Sequence, residues 1–195
     1  MTNPAFTRRA CLRALSGLLA AAAFSRAAHA ADPKKMIVLY FSWSGSTQKV
    51  AEEIQRLTGC DIARIETVTP YPRDYSETVR IAVPEREGKA RPPIKPLPDL
   101  SSYDVIAIGH PIWGGQMPMA LYTFLENTDL SGKTIFHFST SGGSGLGDSQ
   151  QEIARLEPNA KLLPGHTVYG WGGVRDLSVV RGWLEADGIA LKSGV

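Results

Sequence analysis

The chain has 195 residues, of which 43% are hydrophobic and 21% charged. This composition is that of a globular domain and excludes a disordered or fibrous chain. The formal net charge is +2, but residues 1–30 hold four arginines and no acidic residue, so the remaining 165 residues carry a net charge of −2. A nearly neutral body offers no extended positive surface, which argues against a nucleic-acid-binding protein.

The first thirty residues predict a secretory signal. A basic start is followed by an apolar run over residues 14–24 and by Ala28-His29-Ala30, which has the form of a cleavage site. The run has 11 residues. As a helix it would rise about 16 Å against a hydrocarbon core of roughly 30 Å, so we expect no permanent membrane anchor. We predict cleavage near Ala30, a mature domain over residues 31–195 and a periplasmic location.

The paired Arg8 and Arg9 resemble the twin-arginine motif, with Cys11 where that signal class usually carries Phe. The resemblance implies the twin-arginine export machinery as a partner, and an ordinary Sec signal is the alternative. After cleavage only Cys60 would remain, which excludes an internal disulfide.

Strands and helices are predicted to alternate along the mature chain. Apolar runs at residues 36–41 and 105–109 predict parallel strands buried on both faces, and residues 134–139 supply a further candidate strand. A more polar run at 61–68 predicts an edge strand, and residues 167–169 predict a weaker fifth strand.

The helices are predicted between these strands. Val50, Ala51, Ile54 and Leu57 form one apolar helix face. The other predicted helices run over residues 74–86, from Pro118 to about Glu126, from Asp148 or Ser149 to Leu156, and from a cap at Asp176 to a stop at Gly188. This alternation implies right-handed crossovers and an α/β doubly wound sheet.

Ligands of such sheets bind at the carboxyl ends of the strands, where this chain has three unusual loops. The first consists of Ser42, Trp43, Ser44, Gly45, Ser46 and Thr47. Its hydroxyls stand at the start of a helix, where exposed amides attract an anion such as phosphate. It has neither Lys nor Arg, so it is not a nucleoside triphosphatase loop. A helix cap without a ligand is the alternative.

The second loop follows the third strand and contains Pro111, Ile112, Trp113, Gly114 and Gly115. A tryptophan beside two glycines suits a loop that stacks a ring on a planar ligand and lets the backbone approach it, and such stacking contributes about 0.5–1.5 kcal/mol. The alternative is a tryptophan that only packs against the core.

The third loop follows the fourth strand and begins with Thr140, Ser141, Gly142, Gly143 and Ser144. Four glycines lie within the six residues 142–147. Their conformational freedom is costly unless the backbone must come close to a ligand, and a flexible linker is the alternative. Together the three loops predict a phosphate site beside a site for a flat aromatic group.

These loops resemble the flavodoxin-like family. Residues 40–47 are similar to the family's phosphate loop, and residues 71–75, 103–104, 111–113 and 140–145 are similar to a bacterial subgroup called simply flavodoxin. The resemblance covers about residues 35–188. It implies a five-stranded parallel sheet in the order 2-1-3-4-5 with helices on both faces, and flavin mononucleotide (FMN) as the cofactor.

For the site, the resemblance implies phosphate on Ser42, Ser44, Ser46 and Thr47, stacking on Trp113, and a ring edge bordered by residues 141–144. Two departures leave one flavin face unassigned. Gly114 stands where the subgroup often has a second tryptophan, and the third loop lacks a stacking tyrosine. Trp171 would cover that face or only pack against the sheet.

His110 stands at a predicted strand end, where it either approaches the ligand or holds a neighbouring backbone carbonyl. Without a Cys/His cluster or spaced carboxylates we expect no metal site, and without a nucleophile elbow no acyl transfer.

The sequence therefore predicts an exported FMN-binding protein of redox chemistry, either a reductase of quinone-like acceptors or an electron carrier. The electron donor and acceptor are undetermined. A non-catalytic FMN-binding or delivery protein is the alternative.

Overall fold

The structure, a computed structural model, describes residues 34–170 and 173–194. The predicted signal over residues 1–30 and Trp171 lie outside the described residues. No helix in the described ranges has the length and apolar character that crossing a bilayer requires.

A parallel sheet forms the centre of the domain. Its strands are β1 (Met36–Tyr40), β2 (Asp61–Arg64), β3 (Val105–Pro111), β4 (Thr134–Ser141), β5 (Lys161–Leu162) and β6 (His166–Tyr169). The order is β2-β1-β3-β4, and β5 and β6 share the fifth position because both pair with β4. The predicted order 2-1-3-4-5 is confirmed.

Two short strands, β5 and β6, share the fifth position, and residues 163–165 separate them. β5 pairs with the start of β4 and β6 with its end. Pro164 lies between them and has no backbone N–H for the ladder. At Gly165 the backbone lies so close to the ends of the Gln150 and Leu146 side chains that a Cβ there would force both of them to move.

In the part of the chain that the structure describes, five helices cover the two faces of the sheet: α1 (Ser46–Thr58), α2 (Tyr75–Glu87), α3 (Met119–Glu126), α4 (Ser149–Leu156) and α5 (Val179–Ala186). The side chains of a strand alternate between faces. Val38 accordingly packs with α1 and α5, and Leu39 with α3 and α4. Both are fully buried, each contributing about 1.5–3 kcal/mol. Helices on both faces are confirmed.

Several predicted boundaries are wrong. β3 and β4 each extend two residues beyond their predicted ends, to Pro111 and Ser141. The edge strand predicted to reach residue 68 ends at Arg64, because Thr67 has left the sheet and pairs antiparallel with Ile94 of the proline-rich connection. The last helix, predicted to start at a cap on Asp176, begins at Val179. The Asp176 carboxylate accepts a 2.8 Å hydrogen bond from the Ser178 N–H, which precedes the helix, and so does not cap it. The helix predicted from residue 74 is α2, and Asp74 caps it by accepting a hydrogen bond from the Glu77 N–H.

Candidate functional site

The loops that follow β1, β3 and β4 meet at the carboxyl ends of the strands, around a cavity of about 390 Å³. Small-molecule sites have volumes of about 300–1,000 Å³. These loops and the adjoining ends of β3, β4 and α1 contribute to its wall Trp43, Ser44, Ser46, Pro111, Ile112, Trp113, Gly114, Thr140, Ser141 and Gly142. The structure thus brings together residues from all three predicted loops.

The first loop leaves the N-terminus of α1 open. Gly45 is the N-cap residue, with φ of 90°, and no side chain caps the helix. The first intrahelical bond is donated by Lys49, and the N–H groups of Ser46, Thr47 and Gln48 find no acceptor among the described residues. The alternative of a hydroxyl-capped helix does not hold, and the free amides carry the partial positive charge that an anion needs.

The hydroxyls of this loop divide into two pairs. Ser44 Oγ donates to Ser46 Oγ at 3.1 Å, and both residues line the cavity. Ser42 and Thr47 are buried. Ser42 Oγ accepts from the Gly45 N–H at 3.1 Å, and the Thr47 and Thr140 hydroxyls lie 2.9 Å apart. The bonds of this second pair hold the loop together, and neither residue is part of the cavity wall.

Two arginines support the first loop from outside. Arg64 donates to the Ser42 carbonyl at 2.5 Å, and Arg73 donates to the Trp43 carbonyl at 3.4 Å. The Trp43 indole N–H donates in turn to the Pro72 carbonyl at 2.6 Å. The predicted loop contains no cation of its own, and these contacts over 22 and 30 residues leave no local signal in the sequence.

The second loop is a tight turn. Trp113 and Gln116 exchange two backbone hydrogen bonds, of 2.9 and 3.3 Å. Gly114 and Gly115 between them have φ of 58° and 87°, which only glycine adopts without strain. The half-buried Trp113 ring meets Phe41 and Tyr71 edge-on at 5.5 and 5.1 Å between ring centroids and also lines the cavity. Packing fixes this tryptophan while leaving part of it available to a ligand.

Hydrogen bonds order the third loop. Ser141 Oγ accepts from the Gly143 and Ser144 N–H groups at 3.1 and 2.7 Å. The Asp148 N–H donates to the Gly115 carbonyl at 2.9 Å, and a Cβ at Gly147 would overlap that same carbonyl. The flexible-linker alternative is wrong, because the glycines allow this loop to pack closely on the second loop.

His110 is fully buried and holds a backbone carbonyl. Its Nδ1 lies 3.0 Å from the Pro111 oxygen and its Nε2 lies 2.9 Å from His137 Nε2. Burial lowers the pKa of both imidazoles, so they are neutral at neutral pH. Of the two roles predicted for His110, the structure shows the structural one.

Sequence reasoning missed the outer wall of the cavity. One face of α2 lines it with Tyr75, Thr78, Val79, Ala82, Val83 and Arg86. These positions follow helical spacing, but Tyr75 is 71% exposed and only Thr78 of the helix is buried. The pattern resembles an ordinary surface helix, so only the fold reveals that this face looks onto the site.

The sequence and the fold both match those of known proteins. The family model described as "Flavodoxin" matches residues 35–186 of the chain. The protein therefore belongs to the flavodoxin family. Flavodoxin from Nostoc sp. is 27% identical over 143 residues, which cover 71% of this chain and 70% of that protein.

Two solved structures resemble this one. A protein from Bacteroides eggerthii described as a flavoprotein is 32% identical with a TM-score of 0.70, over 80% of this chain and 99% of that chain. A flavoprotein from Lactobacillus acidophilus, solved in complex with FMN, is 26% identical with a TM-score of 0.61, over 77% of this chain and 98% of that chain.

Proposed function

We propose that this protein is an exported FMN-binding flavoprotein of redox chemistry. The observation that carries the proposal is that the uncapped N-terminus of α1 opens beside the cavity that Trp113 lines. A phosphate site next to an aromatic surface matches the two ends of FMN. The bound flavin would supply electron transfer, and the protein would position it and set its potential.

At the phosphate end, the donors are the free amides of Ser46, Thr47 and Gln48 together with the Ser44 and Ser46 hydroxyls. Helix N-termini bind phosphate in this way without a formal positive charge. The residues present therefore fit a phosphate group.

At the ring end, Pro111, Ile112, Trp113 and Gly114 would contact the isoalloxazine, with Gly115 fixing their turn. Thr140, Ser141 and Gly142 would border the opposite edge, and the bonds from Gly143 and Ser144 to the Ser141 hydroxyl would hold that edge in place. Each of these segments is ordered by hydrogen bonds of its own, which favours binding without rearrangement.

A reductase of quinone-like acceptors is favoured over an electron carrier. Carriers use a large net charge to steer toward oppositely charged partners, whereas the mature chain has a net charge of only −2. A non-catalytic FMN-binding or delivery protein would have the same cavity, and only turnover separates it from an enzyme.

The test begins with FMN titration of the purified protein, followed by absorption spectroscopy. Bound flavin bands with saturable binding support the proposal, and absence of FMN binding overturns it. Steady-state assays with a nicotinamide donor and a quinone acceptor then separate the roles. Turnover supports the reductase, while tight binding without turnover supports the binding protein.

A further inference from the structure

Arg86 is the cation of the cavity wall. Among the described residues that line the cavity, Arg86 carries the only positive charge and Glu85 the only negative charge. The Glu85 carboxylate accepts a 2.6 Å hydrogen bond from the Tyr71 hydroxyl, which occupies it inside the wall. The cavity wall therefore carries one arginine and one carboxylate, and the carboxylate is bonded to Tyr71 and forms no ion pair with the arginine.

The second loop makes room for this arginine. Arg86 Nη1 donates a long 3.4 Å hydrogen bond to the Gly114 carbonyl, and a Cβ at Gly114 would overlap Nη1. The missing side chain at Gly114 thus lets the guanidinium rest on the turn that follows Trp113. This is the turn proposed to contact the flavin ring.

Most N–H donors of the Arg86 guanidinium have no partner among the described residues. No carboxylate among the described residues lies within 4.0 Å of Arg86. Within residues 34–170 and 173–194, its five N–H groups make a single long bond to protein atoms. The side chain is also half-buried, so water screens its charge less than that of an exposed arginine.

We propose that Arg86 sets the reduction potential of the flavin by binding the reduced ring more tightly than the oxidised ring. This inference rests on the proposed function. Two electrons and one proton convert the neutral oxidised ring into an anion, and a guanidinium beside the turn at Gly114 attracts that anion. The oxidised ring, which has no net charge, gains much less.

The guanidinium would make this flavin easier to reduce and would suit it to accept electron pairs from a nicotinamide donor. In this arrangement α2, whose sequence pattern is that of a surface helix, carries a residue that acts on the cofactor. The positive charge belongs to the helix wall, so it acts on the ring end of the cavity while the phosphate end relies on amides.

The test compares Arg86→Gln, Arg86→Lys and a control, Arg80→Gln. Arg80 lies on the same helix but is exposed and does not line the cavity. Each protein is loaded with FMN and its two-electron midpoint is measured by dithionite titration at pH 7. Dissociation constants of oxidised FMN and of riboflavin are measured for the same set.

For Arg86→Gln we expect the ratio of the reduced to the oxidised dissociation constant to rise about tenfold, which lowers the midpoint by about 30 mV. Arg86→Lys retains most of the effect of the charge, and Arg80→Gln leaves the midpoint unchanged. Oxidised FMN and riboflavin bind Arg86→Gln about as well as they bind the unaltered protein.

Three results overturn the inference. One is an unchanged midpoint in Arg86→Gln. The second is an equal shift in Arg80→Gln, which would reflect net charge alone. The third is weakened FMN with unchanged riboflavin, which would place Arg86 on the phosphate. If the unaltered protein binds no FMN, the proposed function itself fails, which is a separate outcome.

Discussion

A change at the Ser46 hydroxyl, at the start of α1, distinguishes binding of the phosphate from binding of the flavin ring. Ser46 Oγ accepts from Ser44 Oγ, so its own O–H remains available to a phosphate oxygen. We expect Ser46→Ala to raise the Kd of FMN at least about tenfold, because a hydrogen bond to a charged group contributes about 1.5–3 kcal/mol. The Kd of riboflavin should not change. Fluorescence titration with both ligands checks this, and equal weakening would place the phosphate elsewhere.

The Thr47 side chain, unlike that of Ser46, supports the structure of the first loop. Its hydroxyl is buried and lies 2.9 Å from the Thr140 hydroxyl, which ties the first loop to the third. Thr47→Ala leaves that partner unpaired, so we expect the free energy of unfolding to fall by about 1–3 kcal/mol. Thr47→Ser keeps the hydroxyl and should recover most of the loss in urea unfolding. A Thr47→Ala protein of normal stability would contradict this role.

Glu157 at the end of α4 gives the fold a pH dependence. Its Oε1 is buried without a hydrogen-bond partner, and burial raises the carboxyl pKa from 4.5 to about 7. A carboxyl whose pKa is higher in the folded protein stabilises the fold below its unfolded pKa. That stability is lost as the pH rises through about 7.

Glu157→Gln should therefore stabilise the protein at pH 8 by roughly 1–2 kcal/mol and change little at pH 4.5, since glutamine stays neutral throughout. Urea unfolding at the two pH values measures the difference. Glu152→Gln on the same helix removes only a surface pair with Arg155 and serves as the control. A stabilisation that is the same at both pH values would rule out the buried charge as the cause.

At the scale of elements, α2 differs from the other helices in how little of it is buried. Only Thr78 is buried in α2, whereas Val180 and Leu184 anchor the shorter α5. A ligand in the cavity would cover the lining face of α2, so we expect FMN to slow amide hydrogen exchange there at least about tenfold. Exchange in α5 should not change. Mass spectrometry of both helices with and without FMN tests this, and equal protection would indicate a global effect.

How deeply an element is buried also decides how clearly the sequence predicts it. β1 and β3 are buried on both faces, so their apolar runs are unambiguous, and α1 has a clear apolar stripe. Edge elements carry weaker patterns. The strand after α1 stops at Arg64 because a later proline-rich segment pairs with Thr67, which no local pattern reveals.

The candidate site also has parts that the sequence predicts and parts that it does not. The loops at residues 42–47, 111–115 and 140–144 follow predicted buried strands, and the structure brings them to one cavity. The supporting contacts of Arg64 and Arg86 connect residues 22 and 28 positions apart. Contacts of this kind depend on the path of the whole connection, so composition and periodicity do not reveal them.

At the scale of the whole molecule, cofactor loading and export should be linked. A twin-arginine signal, as that signal class implies, carries folded proteins, and FMN is made inside the cell. Ligand at 100 times its Kd adds about 2.7 kcal/mol to the stability of the folded state. We therefore expect the protein to fold with FMN in the cytoplasm and to cross the membrane already loaded.

Replacing Arg8 and Arg9 by Lys should stop export, because the signal class depends on its paired arginines, and cell fractionation measures where the mature domain accumulates. Normal delivery of that variant to the periplasm would point to a Sec signal. A second variant, with Ser44 and Ser46 both changed to Ala, keeps the signal but should bind FMN poorly. We expect it to remain largely in the cytoplasm, since the empty domain is less stable and presents less folded protein for transport. If it is exported at the normal rate while the Lys variant is not, the route stands and the link to FMN loading is wrong.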